Sequence, residues 1–306
     1  MRSLFAREIT SLAKVNKNVV LLSGDIGNRM IDEFKEFAPT RYINCGIAEA
    51  NMMSLASGMS LCGLRPYIYT ITPFTTTRCL DQIKIGVAYH YSNVVIIGTG
   101  SGLSYAELGP THHSLEDIAI IRSIPDIRIL APADPLELKS QLIETLSLEG
   151  PTYIRIGKKG EPNLFNEKHD LGIGKANLIC EGTDYIIFCI GPITNEAIIA
   201  SNELRLIGIS LAVVSMSSVR PLDESFLEGV IKKSFKEWMT LEEHGLIGGL
   251  GTTILEWISD KNYNKLVDLK RFGASDKFIH KLGNQSYIRE QLKIDAKSII
   301  SYIKNR

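Results

Sequence analysis

The sequence predicts an α/β fold of two domains, each built on a mainly parallel sheet. Three observations carry this. Strand-like and helix-like stretches alternate along the whole chain, as sheets flanked by helices require. Several strand runs are continuous apolar segments, such as Val94-Val95-Ile96-Ile97 and Ile186-Ile187-Phe188, which suits parallel strands covered on both faces. A stretch rich in Gly, Pro and charge, opening with Lys158-Lys159-Gly160-Glu161-Pro162-Asn163, splits the alternation in two. The expected organisation is a first domain over 1–160, a linker over 161–174 and a second, smaller domain over 175–306.

In the first domain the strand runs are expected at 19–23, 42–44, 66–70, 93–98, 127–130 and 152–156. Helices are expected near 2–15, 29–37, 48–61, 75–91, 113–122 and 135–148. In the second domain, strands are read at 185–190, 211–215, 238–241 and 266–269. Its helices are read near 194–205, 222–233, 248–259, 285–292 and 295–304.

Composition bounds the function. The 306 residues are 44% hydrophobic and 22% charged, an ordinary soluble balance. Lys and Arg number 34, as do Asp and Glu, so the net charge is zero. Neither nucleic acid nor an anionic membrane is then expected as a partner, since both select a basic surface. Zero net charge is compatible with an oligomer. Cys45, Cys62, Cys79, Cys180 and Cys189 form no C-x-x-C pair and mostly lie in apolar runs. They read as reduced and mostly buried, which fits a cytoplasmic protein and disfavours zinc. The first residues include an acid, Glu8, and no apolar signal core, and no apolar run is long enough to span a bilayer.

Several motifs could carry chemistry. Glu49 follows the strand run Tyr42-Ile43-Asn44 and opens a small, apolar helical stretch. It is either a charge favoured by the helix dipole or a buried acid at the carboxyl end of a strand, where α/β folds bind ligands. Gly98-Thr99-Gly100-Ser101-Gly102 fails the dinucleotide fingerprint because Leu103 stands where its last glycine belongs. The turn Gly109-Pro110-Thr111-His112-His113 is either a helix cap, with Thr111 or Ser114 capping and Asp117 in the first turn, or a proton-transfer group. Arg155 interrupts an apolar strand, so it pairs with a structural carboxylate or binds a substrate anion. Phe74 is core or a plate for a flat ring. Leu241-Glu242-Glu243-His244 with Gly248-Gly249-Leu250-Gly251 is an anion site at a helix start or a close-packing segment.

Gly46-Ile47-Ala48-Glu49, Pro73-Phe74, Gly109-Pro110-Thr111-His112, Leu241-Glu242-Glu243-His244 and Gly248-Gly249-Leu250-Gly251, in that order, resemble the C-terminal half of transketolase. They are similar also to 1-deoxyxylulose-5-phosphate synthase and, more distantly, to the β subunit of 2-oxo acid dehydrogenases. The likeness covers nearly the whole chain. It implies a pyrimidine-binding thiamine-diphosphate domain followed by the transketolase C-terminal domain. The Gly-Asp-Gly…Asn segment that grips diphosphate and metal in this family is absent from the sequence. The resemblance therefore implies a separate N-terminal, diphosphate-binding subunit, an α2β2 assembly, and Mg2+ (or Ca2+) bound mainly by that partner.

The same resemblance implies a role for each matching residue. Glu49 matches the acid that hydrogen-bonds the aminopyrimidine of thiamine diphosphate, and the cofactor carries the carbanion. Phe74 matches the aromatic stacked on that ring. Asp25 and Ile26 match the acid-bearing loop near the cofactor. His112 matches the substrate-facing histidine that steadies or relays the alkoxide proton, with His113 beside it. Arg155 matches an arginine for the acceptor's phosphate. Gly100 and Leu108 depart from the family, which usually has His and Asp there to read sugar hydroxyls. Losing those groups relaxes that selection. The implied reaction is transfer of a two-carbon ketol unit between sugars or sugar phosphates. Decarboxylative carboligation from a 2-oxo acid and a non-catalytic assembly role are the alternatives.

Overall fold

The structure, a computed structural model, describes residues 1–166 and 169–306. Residues 167–168 of the expected linker lie outside the described residues. The strands in chain order are β1 (Val19–Ser23), β2 (Tyr42–Asn44), β3 (Arg65–Ile71), β4 (Val95–Thr99), β5 (Arg128–Leu130), β6 (Thr152–Ile156), β7 (Asn177–Cys180), β8 (Tyr185–Cys189), β9 (Leu211–Ser215), β10 (Ser218–Arg220), β11 (Glu237–Gly245) and β12 (Leu269–Ala274). The helices are α1 (Arg2–Val15), α2 (Asp32–Phe37), α3 (Glu49–Leu61), α4 (Thr72–Thr75), α5 (Asp117–Arg122), α6 (Pro135–Glu144), α7 (Thr194–Arg205), α8 (Glu224–Ile231), α9 (Leu250–Asp260), α10 (Gln285–Leu292) and α11 (Ala296–Lys304).

Two sheets result, in the orders β10-β5-β6-β4-β3-β1-β2 and β12-β11-β8-β9-β7. Among the described residues, every strand pairing is parallel except those of the edge strands β10 and β7, which run antiparallel. The apolar runs behave as doubly covered strands. In β1, Val20 and Leu22 face one core layer while Val19 and Leu21 face another. The fold class is α/β, as the alternation predicted.

The two halves are joined by hydrogen bonds as well as by chain. β10 comes from the second half yet completes the first sheet against β5. Beside it, Ala131 N–H donates to the Ser217 carbonyl at 2.6 Å, and Gly191 N–H to the Ala131 carbonyl at 2.9 Å.

Some expected elements differ. The strand read at 266–269 instead runs over β12, because Leu266 is exposed in the preceding turn and pairing with β11 begins at Leu269. The helix expected over 75–91 breaks into α4, a 3-10 turn at Thr77–Cys79 and a π-helix over Gln82–Ala88. The helix expected from 113 starts at Asp117 with no side-chain cap, because the turn before it is held by backbone bonds from His112 and His113 to the Gly109 carbonyl. The five cysteines are free, but Cys62 is exposed at the end of α3 and only Cys79 and Cys189 are fully buried. Among the described residues no helix is long and apolar enough to cross a membrane.

Candidate active site

Glu49 is the first residue of α3, just past the turn at Gly46, whose φ of +68 suits glycine. Its residue surface is only 3% exposed. A buried carboxylate requires a partner, and Arg78 supplies it: Nη1 donates to Glu49 Oε2 at 2.9 Å. The Arg78 guanidinium also lies 4.0 Å over the Phe74 ring centroid. Phe74, on α4, meets the edge of His112, with ring centroids 5.4 Å apart. The structure thus links Glu49, Phe74 and His112, drawn from three separate segments, through Arg78.

His112 is half-buried, and its Nδ1 lies 2.9 Å from Thr111 Oγ1. Burial, then the neighbouring His113 and Arg78, hold its pKa below the usual imidazole value. A neutral imidazole at physiological pH can accept a proton or donate its N–H to an oxyanion. The His112 ring also meets Tyr105, at 5.9 Å between centroids. Tyr105 fills the space above Gly100: with φ at +72, any Cβ on Gly100 would overlap the tyrosine ring. Lys158, past the end of β6, places its ammonium 4.3 Å over that ring and pairs with Glu107 at 2.9 Å. Leu108 is 50% exposed nearby in sequence, on the 3-10 turn Ala106–Leu108.

Asp25 and Ile26 follow β1. Asp25 is exposed with φ at +54 and accepts a hydrogen bond from Asn44 Nδ2 at 3.0 Å, tying the ends of β1 and β2. The Ile26 carbonyl accepts from Ser23 Oγ at 2.7 Å.

Two residues expected at the substrate have partners within the chain. His113 is buried with Nε2 3.2 Å from the Ala106 carbonyl, a contact that braces the 3-10 turn. Arg155 is likewise buried. Its Nε lies 3.1 Å from Asp117 Oδ2, and Nη2 donates to the carbonyls of Ser114 (3.2 Å) and Glu243 (3.1 Å). Asp117 is therefore its ion-pair partner, and Nη2 ties the strand to Ser114 and to Glu243 of the second half. The Gly-rich helix start, read as an anion site or a close-packing segment, is filled from within: Glu242 accepts from Leu250 N–H at 2.8 Å and Gly251 N–H at 2.9 Å, capping α9 with its own chain's charge. A cavity of about 530 Å³ between Pro110, His113, Leu246 and Phe278 lies behind the histidine turn and is not lined by Glu49 or Phe74.

Sequence reasoning missed Arg78, Tyr105 and Lys158. Arg78 had a usable signal: an acid predicted to be buried requires a cation. Tyr105 had none, because its contact with Gly100 is a matter of loop shape.

Comparison with known proteins supplies the family. Residues 1–161 match the transketolase pyrimidine-binding domain, and residues 174–299 match the transketolase C-terminal domain. The chain belongs to the transketolase family. That family is one of thiamine-diphosphate-dependent transferases. A relative from Clostridium sp. (strain MSTE9), the 6-deoxy-6-sulfo-D-fructose transketolase subunit SqwH, is 32% identical over 303 residues, covering 98% of this chain and 92% of the relative. One of the subunits of the apulose-4-phosphate transketolase of Phocaeicola vulgatus is 32% identical over 264 residues, covering 85% of this chain and 83% of the relative. A 1-deoxy-D-xylulose-5-phosphate synthase from Parasynechococcus marenigrum is 30% identical, covering 99% of this chain but 47% of that protein. A solved structure described as a split gene transketolase, inactive beta4 tetramer, superposes with a TM-score of 0.88 at 28% identity, covering 99% of this chain and 96% of the other.

Proposed function

We propose that this transketolase-family chain is the pyrimidine-binding, C-terminal subunit of a split enzyme. In this reading the enzyme transfers a two-carbon ketol unit between sugar-type substrates and works with a separate diphosphate-binding subunit. One observation carries the proposal: a planar N–C–N group, the Arg78 guanidinium, lies on Phe74 while giving an N–H to buried Glu49. An aminopyrimidine is also planar, carries nitrogens in the same N–C–N relation, and suits the same carboxyl and ring face. The cradle therefore fits the cofactor's ring.

When bound, thiamine diphosphate supplies the carbanion-stabilising chemistry that no side chain provides. Glu49, itself buried, orients the aminopyrimidine and sets its hydrogen bonding. Phe74 fixes the plane of the ring. His112 holds or moves the proton of the substrate oxygen at the carbon being attacked. Asp25 and Ile26 shape the loop beside the ring. Tyr105 and Leu108 line the substrate approach where Gly100 carries no side chain, and the Lys158 ammonium meets an anionic group on the sugar. The sugars in the names of two relatives, a sulfo-sugar and a sugar phosphate, both carry such a group.

The diphosphate and Mg2+ (or Ca2+) are assigned mainly to the partner, since this sequence lacks the Gly-Asp-Gly…Asn segment. An α2β2 assembly in the cytoplasm follows in this proposal, with domains over 1–160 and 175–306. Exposed apolar residues near Glu49 and Arg78 support a partner surface there: Leu55 and Leu61 on α3, Ile47 just before it, and Ile85 and Tyr89 on and just after the π-helix that follows Arg78.

The test is co-purification with the diphosphate-binding subunit, followed by assay with ketose donors and with 2-oxo acids. Ketose cleavage dependent on both chains and on thiamine diphosphate supports the proposal. Release of carbon dioxide from a 2-oxo acid replaces it with the decarboxylative reaction, which the synthase relative favours. Full activity in a Glu49→Gln pair would overturn the catalytic reading.

A further inference from the structure

We propose that Arg78 is an internal occupant of the cofactor-ring slot, held there in the chain without its cofactor and displaced when the ring enters. This rests on the functional reading above, which gives Glu49 and Phe74 to the aminopyrimidine. Arg78 makes both of those contacts at once, the ion pair to Glu49 at 2.9 Å and the face contact with Phe74 at 4.0 Å. The ring and the guanidinium therefore compete for one carboxylate and one aromatic face.

Arg78 is also built to leave. Its side chain is 45% exposed while that of Glu49 is 3% exposed, so the cation enters the slot from the mouth. Arg155 shows the contrast: its side chain is 5% exposed and is held by Asp117 and two backbone carbonyls. Arg78 has one hydrogen-bonded partner and one ring among the described residues. It sits on the 3-10 turn Thr77–Cys79, directly ahead of the π-helix Gln82–Ala88. Such irregular segments repack more readily than a regular helix and are frequent at functional sites.

The arrangement has a physical use. Without a ring in place, Glu49 would be a buried carboxylate with no compensating donor, a costly state. Arg78 covers that charge until a better-fitting donor arrives. Because a half-exposed ion pair and a solvent-facing cation–π contact are each weak, the competition costs the cofactor about tenfold in affinity without shutting it out.

The experiment measures thiamine diphosphate dissociation constants by calorimetry, with Mg2+, on the reconstituted pair carrying wild-type chain, Arg78→Ala, Arg78→Gln or Glu49→Gln. The proposal expects Arg78→Ala to bind about tenfold more tightly and Glu49→Gln to bind more weakly. Arg78→Gln, uncharged and shorter, is expected between wild type and Arg78→Ala, and its tightening serves as the test where the alanine variant does not fold. Weaker or unchanged binding in the folded Arg78 variants, with Glu49→Gln still impaired, would overturn the placeholder and leave the proposed function standing. Binding that is indifferent to Glu49→Gln would overturn both.

Discussion

Glu49 and Arg155 are both charged groups taken out of solvent at the carboxyl ends of first-sheet strands, and their partners decide what each can do. Arg155 has a buried acid beside it, and its Nη2 donates to two carbonyls, which holds the guanidinium within the chain. Glu49 has one half-exposed arginine, which a ligand can replace. The Glu49→Gln pair is therefore expected to lose about a hundredfold or more in kcat with thiamine diphosphate saturating, as loss of a positioned acid commonly costs. Its thermal midpoint is expected to stay close to wild type, since the ion pair to Arg78 is only partly shielded. His112→Asn keeps a hydrogen-bond donor but loses the titrating ring. About a hundredfold loss in kcat, together with a flattened acid limb of the pH–rate profile, is expected in steady-state assays.

Loops and helix starts place these side chains, and two of them carry measurable stability. Gly100 sits at φ +72 beneath Tyr105, so Gly100→Ala combines a strained backbone with a clash against the ring. A destabilisation of about 1–3 kcal/mol is expected in urea unfolding. At the start of α6, Glu137 is fully buried and accepts from Ala133 N–H (2.7 Å) and Ser215 Oγ (3.2 Å). Burial, resisted by those hydrogen bonds, pushes its pKa from 4.5 to about 7. The folded chain thus holds this proton through a window in which the unfolded chain releases it. Stability from this group is full below about pH 4.5 and falls as pH rises through 7, by about 3 kcal/mol. Glu137→Gln is expected to remove that slope from unfolding free energies measured between pH 5 and 8.

Across the molecule, the second half finishes the first. β10 extends the first sheet, and Glu243 reaches back to accept from Leu103 N–H at 3.1 Å while pairing with Arg289 and Gln285 of α10. The Arg155 guanidinium sits at the same junction, with Asp117 from α5 and the Glu243 carbonyl from β11. Asp117→Ala leaves a buried guanidinium without its carboxylate and a Tyr153 hydroxyl without its acceptor. A loss of about 3–5 kcal/mol is expected, read as a lower thermal midpoint in calorimetry. Shared strands and bridges of this kind also predict one cooperative transition rather than two.

Much of this was legible in the chain. Continuous apolar runs alternating with helical stretches require a doubly covered parallel sheet, because each run has no polar face to leave in water. The segments bearing Glu49, Phe74 and His112 could be named from local residue patterns and family resemblance. What local patterns cannot carry is the partner of each group. Whether Arg155 faced a substrate or an acid depended on Asp117, 38 positions away in sequence and adjacent only after folding. The Gly-rich start of α9 looks open to an anion until Glu242 is seen to fill it. β7 and β10 are short, antiparallel edges whose few residues hold no period of their own. The sequence thus determined which elements form, through periodicity and burial. Tertiary structure decided which charges are enclosed with buried partners, as Arg155 is with Asp117, and which, like the one on Glu49, meet a half-exposed partner, because pairing follows distance in space.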